Sequence, residues 1–324
     1  MSTTQRAVAF GLAAALIQAI MLIAFAWPAA NIKPRELPIA VTGPQAAAVS
    51  QQLAAHDADA FDIRTVADES AARDAIANRD VYGAIVTGGQ PLVLVASAAS
   101  PAVAQQLSAI AQQLSGTPAP AVQDVVAADP DDPRGSGFGA MVLPLALSGI
   151  AAGVLLTLLI PSIPARGIGL TTFAIAGGLL SMSIISGWLS LLPGSYLTLA
   201  AIAGLVSFTV AGTVVGLAAA IGRAGIGLAA ITIVLIGNPF SAATSAPELL
   251  PRPWGTIGQL LPPGAAASLL RSVAFFDGAK AGGPLTVLLV WAVAAVALLG
   301  IGIVRSRPAA ATVDLREPVP AAAG

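Results

Sequence analysis

The stretch GFGAMVLPLALSGIAAGVLLTLLIPSIPARGIG, residues 137–169, decides what kind of protein this is. Its apolar run from Gly137 to Ile160 exceeds the about 20 residues that a helix needs to cross the hydrocarbon core of a bilayer. It breaks at Pro161 and Pro164, carries one charge at Arg166, and then turns apolar again. The pattern persists: between Gly137 and Pro247 the only charged residues are Arg166 and Arg223. The whole chain of 324 residues agrees, with 56% hydrophobic and 10% charged residues, against roughly 25% charged in ordinary soluble domains. Mean hydropathy is +0.85. Aromatics are only 5%, so the apolar mass is Ala, Leu, Ile, Val and Gly, the make-up of closely packed membrane helices.

Working outward gives six spans: Ala7 to Trp27, then about 138–160, 168–191, 196–221, 225–244 and 284–304. The turn LLPGSY, 191–196, divides the long run, and the last span ends at Arg305 and Arg307. The first span has two readings. Arg6, the apolar core and Ala24-Phe25-Ala26 resemble a cleavable signal peptide, but a core of about 20 residues exceeds the usual 7–15 and fits an uncleaved anchor. Basic residues flanking the spans do not divide unequally between the two sides. Orientation is read instead from Arg6 before the first span and from the lone arginines, Arg166 and Arg223, in two very short loops. The expectation is a multi-pass protein of the cell membrane with both termini cytoplasmic. The tail 305–324 reads as cytoplasmic and disordered.

Residues 28–136 have the charge of a soluble unit and lie outside in this reading. LPIAVTG (37–43) and FDIRTV (61–66) read as strands, as do VYGAIVT and PLVLVAS, joined by Gly88-Gly89 as a tight hairpin. PQAAAVSQQLAAHD reads as a helix with Pro44 in its first turn. Asp68 is placed to cap a second helix to about Asn78, Ser100-Pro101 to start a third, and VQDVVAA reads as a last strand. The fold class is therefore a mainly α membrane protein: six transmembrane helices, with a small extracytoplasmic α/β domain between helices 1 and 2.

Several chemistries are excluded by residue supply. A phosphate-binding loop needs Gly-Lys before Ser or Thr, and the two lysines follow Ile32 and Ala279. There is no cysteine and one histidine, His56, so thiolate and histidine metal sites and a His-based triad have no residues to stand on. Asp57/Asp59 and Asp131/Asp132 lack the spacing of a calcium loop, and Asp129–Pro133 reads as a linker entering the membrane. No cofactor, metal, catalytic residue or nucleic-acid partner is expected; a net charge of −1 agrees. The spans carry no Asp, Glu, Lys, Arg or His at mid-membrane, where ion-driven carriers usually place them. They do carry the glycine pairs Gly149/Gly153 and Gly212/Gly216, whose four-residue spacing lets helices approach closely, for packing or self-association.

The segment 245–283 does not fit a plain loop. Within GQLLPPGAAASLLRSVAFFDG (258–278), the turn Pro262-Pro263-Gly264 leads into a helix. Leu269, Leu270, Val273 and Phe276 fall on one face; Ser268, Arg271, Ser272 and Phe275 lie off it. An amphipathic helix at the outer interface fits, as does a re-entrant hairpin packed in protein. Arg271 then faces headgroups or a cavity.

This layout resembles the ABC-2 type transporter permeases, in particular the phage-infection-protein-like membrane proteins of actinobacteria. The residues that carry the resemblance are LPIAVTG after the first span, VYGAIVTGGQPLVLVASAAS, NPFSAATSAPELLP and the 258–278 segment, which in that family forms outer-face helices before the last span. The resemblance implies a homodimeric exporter of an amphipathic or lipid-like substrate, driven by a separate cytoplasmic ATP-binding subunit. The chain departs from the family in having few residues before span one and a short loop at Arg166, so coupling falls on Ile160–Gly169 or near Arg223. The alternative is a non-transporting envelope protein whose extracytoplasmic domain binds a surface partner.

Overall fold

The computed structural model describes residues 2–88, 91–115 and 121–306. Five of its helices are long and apolar enough to cross a membrane: α1 (Thr3–Ala30), α5 (Ser136–Leu159), α6 (Ile163–Trp188, π-helical over its last six residues), α7 (Tyr196–Ile221) and α11 (Gly282–Arg305). The breaks between them have local causes. Pro161 leaves only residues 160–162 between α5 and α6, and Ser162 caps α6. Gly194 and Gly222 take φ of 108° and 75° at the turns before and after α7, a region that costs a side chain about 1–2 kcal/mol. The fourth of the later spans expected from the sequence, 225–244, differs. An α-helix from Ala224 (α8) becomes π-helical at Ile231 and stops at Gly237. At 1.5 Å per residue it is about 21 Å long, short of the about 30 Å of a hydrocarbon core. Among the described residues the count is thus five long helices and one short one, where six long spans were expected.

Helix α7 is the axle. Of its most apolar stretch 72% is buried, against 0% for α1, which stands free along most of its length. The glycine pairs explain how neighbours close on it. A Cβ on Gly149 or Gly153 of α5 would lie 2.6 Å from Val210 Cγ1 or from Val214 Cβ. A Cβ on Gly212 or Gly216 of α7 would lie 3.0 Å from Ala295 Cβ or 2.8 Å from the Ala295 carbonyl oxygen of α11. Both pairs are therefore occupied by packing within the chain, where the absence of a side chain lets backbones approach.

Between α1 and α5 the chain folds into a five-stranded sheet with order β2-β1-β3-β4-β5. Its strands are β1 (Leu37–Thr42), β2 (Phe61–Thr65), β3 (Gly83–Val86), β4 (Leu92–Val95) and β5 (Ala121–Asp124). All pairs are parallel except the β3–β4 hairpin. Helices α2 (Ala46–His56) and α4 (Pro101–Ser115) cover one face over Leu37, Ile39, Ile85 and Val93; α3 (Glu69–Ala77) covers the other over Ala40, Ala84 and Leu94. Asp68 caps α3 through the Ala71 amide at 2.8 Å. Pro44 lies just before α2 rather than in its first turn. Asp132, expected only as part of a linker, is buried and accepts from the Phe138 amide at 2.8 Å and from Ser136 Oγ at 3.1 Å. It thereby satisfies a donor that the start of α5 would otherwise leave unmet. Gly89, the His56 side chain, Arg307 and Arg316 lie outside the described residues.

Candidate functional site at the junction of sheet and bundle

Two short helices, α9 (Trp254–Gln259) and α10 (Pro262–Phe275), join α8 to α11 and wedge between the sheet and the bundle. Prolines 262 and 263 occupy the first turn of α10, where a missing N–H costs nothing. Gly264 fits because α9 lies directly against it: a Cβ there would be 2.2 Å from the Gly258 carbonyl oxygen. Of the two forms expected for this segment, a hairpin packed in protein rather than an amphipathic surface helix is what forms. Helix α10 is buried on nearly all sides, with Leu269, Leu270 and Ser272 at 2%, 0% and 0% exposure. Its apolar side joins the bundle core, and the other meets the α/β unit, so polar residues here are enclosed rather than solvated.

Arg271 is the most consequential of these. Its side chain is 5% exposed, so it is not a headgroup anchor. The guanidinium donates from Nη2 to the Ala243 carbonyl oxygen at 2.9 Å and sits 4.6 Å from the centre of the Phe138 ring. Among the described residues no carboxylate lies within 4 Å of it. A second arginine approaches from the sheet. Arg79 donates to the Ser268 carbonyl oxygen at 3.2 Å and to Ser272 Oγ, with its guanidinium 5.3 Å from the Phe276 ring centre. Its φ is 58°, just past the end of α3, where glycine is the usual occupant. An arginine held there puts its side chain to use on α10. Burial pushes the Arg79 pKa down, with the Tyr82 and Glu248 groups opposing.

Tyr82 and Glu248 complete the set. The Tyr82 hydroxyl donates to Glu248 Oε2 at 2.8 Å. Burial first, and then the Glu248 carboxylate, raise the Tyr82 pKa well above its ordinary value, so the phenol stays protonated and donating. A cavity of about 290 Å³ lies among these groups, lined by Arg79, Tyr82, Glu248, Gln259, Ser268 and Arg271, with Lys280 also on its wall. Lys280 is paired with Asp80 at 2.6 Å. The junction is clamped on a second side by Arg35, which donates to the Leu249 carbonyl oxygen at 2.7 Å, and by Arg252 with Glu36, also at 2.7 Å.

The other singled-out residues divide in two. Phe275 packs half-buried between both cores, and Phe276 is buried beneath Arg79. Arg166 and Arg223 lie far from the junction, at the opposite end of the bundle. Arg166 is in the first turn of α6 rather than in a loop, and its Nε donates to the Ile160 carbonyl oxygen at 2.7 Å. Arg223 is exposed at the start of α8. Sequence reasoning missed Arg79, Tyr82 and Glu248. Only Glu248 left a trace: it is the one acid between Asp132 and Asp277. Among the described residues no group of three or more His, Cys, Asp or Glu side chains could hold a metal. No protein-family model, curated protein or solved structure matches this chain.

Proposed function

We infer that this chain is the membrane-embedded subunit of an ABC-2 type exporter. It sits as a homodimer in the cell membrane and moves an amphipathic or lipid-like substrate with energy from a separate ATP-binding subunit. The observation that carries the reading is the α9–α10 pair, enclosed between the last two apolar segments and clamped to the α/β unit. A bundle topped in this way behaves as one lever. Helix α7 is packed backbone to backbone with α5 and α11 at the glycine pairs, so a push at one end of the bundle reaches α10 without being absorbed.

The charges support an orientation. At the end opposite the sheet lie Arg6, Arg166, Arg223 and Arg305, and among the described residues no acid. Arg305 Nη1 donates to the Ala220 carbonyl oxygen at 2.6 Å, which holds the end of α11 against the end of α7. The count of basic residues does not separate the two ends, so we take this end as cytoplasmic from Arg6 ahead of the first span and from the lone arginines at two short turns, Arg166 and Arg223. It is the face for the ATP-binding subunit, with Arg166 and Arg223 at the coupling turns, and the α/β unit outside. The spans hold their charges in terminal turns only: Arg6, Arg166 and Arg305. A proton or sodium relay at mid-membrane has no residues to use, so energy comes from another subunit.

The test is purification of the tagged chain from its native host in a mild detergent, with mass spectrometry of what accompanies it. The expected result is an ATP-binding protein in stoichiometric amount, retained by wild type and reduced in an Arg166→Glu/Arg223→Glu double variant. An intact membrane protein that brings no ATPase, but whose isolated α/β unit captures a surface partner, sinks the exporter reading in favour of an envelope-binding role.

A further inference from the structure

We propose that the junction cavity between β3, the 247–248 turn and α10 is a binding site for a single anionic oxygen head, phosphate or carboxylate, carried on a short apolar body. The inference needs the fold but not the exporter reading, because binding is measured whether or not the chain transports.

Arg271 has more donors than partners. A guanidinium has five N–H donors, and one of them meets a protein acceptor here. A buried charge with so few partners is costly, and proteins keep one where it is paired or used. Phe138 offers a ring face, which does not satisfy in-plane donors. Arg79, facing the same cavity from the sheet, spends Nη1 on Ser268 and Ser272 and has no carboxylate within 4 Å. Two guanidiniums from separate elements therefore converge on one space whose one lining carboxylate, Glu248, is ion-paired with neither. The remaining charges nearly cancel. Lys280 is neutralised by Asp80, and Glu248 offsets one arginine while its carboxylate is engaged by the Tyr82 hydroxyl. One positive charge is left over, which favours an anionic head over a neutral or cationic one. Guanidinium forks suit planar or tetrahedral oxyanions by paired hydrogen bonds.

The rest of the wall sets the ligand's body. Pro38, Val81, Ala99, Pro247 and Pro284 are apolar, and Gln259 and Ser268 add two neutral polar groups already bonded to each other at 2.5 Å. About 290 Å³ lies at the lower edge of small-molecule pockets, room for a head and a few carbons rather than a whole lipid. Any longer tail has to leave the cavity.

The experiment uses the full-length protein in a neutral detergent, titrated by calorimetry with inorganic phosphate, hexyl phosphate and 1-hexanol. The expected result is saturable, one-to-one binding of hexyl phosphate and none of 1-hexanol. Arg271→Gln and Arg79→Gln each weaken it about 30-fold or more, as when one side of a buried charged contact is removed. Glu248→Gln, which keeps a hydrogen-bond acceptor for Tyr82 but removes the competing charge, tightens it. Inorganic phosphate binding as tightly as hexyl phosphate identifies a free oxyanion as the ligand class; hexyl phosphate at least tenfold tighter identifies the head of an amphiphile. If Arg271→Gln does not fold, Arg79→Gln and Glu248→Gln decide. No saturable binding of either anion, equal binding of 1-hexanol, or anion binding unchanged in the folded variants overturns the proposal.

Discussion

Gly258→Ala puts the packing of the α9–α10 hairpin to its hardest test, because two effects of opposite sign meet there. In an ordinary helix, replacing glycine by alanine is favourable by about 1 kcal/mol, since the backbone loses freedom it would otherwise give up on folding. Gly258 lies in α9, and an alanine Cβ there would sit 1.8 Å from the Phe240 carbonyl oxygen and 2.6 Å from its carbon. Those are backbone atoms, so no rotamer relieves the clash. Relief needs a shift of more than an ångström in the 238–245 loop, which also holds the carbonyl that Arg271 bonds. Because backbone must move, the cost lies at or above the upper end of the roughly 1–3 kcal/mol usual for overpacking, and less the favourable about 1 kcal/mol the net change is a loss of about 2 kcal/mol or greater. Gly227→Ala in α8 is the control: nothing lies within 4 Å of its Cβ, and only the favourable helix effect remains. The assay is the fraction of monodisperse protein left after heating in detergent, read across temperature. Gly258→Ala should fall below wild type and Gly227→Ala should match or exceed it. A Gly258→Ala protein as heat-resistant as wild type would show that α9 does not lie against Phe240.

The other expectations concern single residues and topology. Arg271→Ala should lower thermal stability by about 2 kcal/mol or more, because the cavity it vacates and the stranded Ala243 carbonyl outweigh the relief of a sparsely partnered buried charge. Arg252→Ala should cost at most about 1 kcal/mol, since that ion pair with Glu36 is more than half exposed on both sides; equal losses in the same heating assay would contradict the buried placement. Asp132→Ala should cost about 1–2 kcal/mol through the unmet Phe138 amide, whereas Asp131→Ala, on an exposed neighbour, should be near neutral. Reporter fusions at Gly194 and Asp131 should report the same side of the membrane, outside; a cytoplasmic signal at either one refutes the orientation.

Much of the architecture was legible because its signals are local. Apolar length marks α1, α5, α6, α7 and α11, and proline or glycine marks their ends. Alternation and caps likewise reveal β1 to β4 and the start of α3 at Asp68. The failure at 225–244 has a physical reason. Hydropathy counts apolar residues but does not tell helix from a loop walled in by protein, and Asn238–Ser245 is such a loop, enclosed by the hairpin that follows. The 258–278 segment left two readings open for a related reason. Helical periodicity identifies a face that differs from the rest, but α10 has protein on both faces, so Arg271 is buried although it lies off the apolar stripe.

The candidate site was legible only in part. Arg271 and the Pro262-Pro263-Gly264 turn stand out as polar or helix-breaking features in an apolar region. Arg79 and Tyr82 are ordinary residues of a soluble unit, and nothing at the end of α3 announces that one of them reaches a helix nearly two hundred residues later.

What the sequence alone determined is the class of solvent each segment must meet: apolar runs that need lipid or protein around them, and an intervening charged unit that needs water. That information is written in composition and period, both properties of neighbouring residues. Only the tertiary structure decided which groups share a cavity and which arginine lacks an acid. Those outcomes depend on two distant segments, β3 with its preceding turn and α10, closing on each other around α7. The free energy of a buried charge is set by whatever lies within a few ångströms of it, wherever in the chain that neighbour originates.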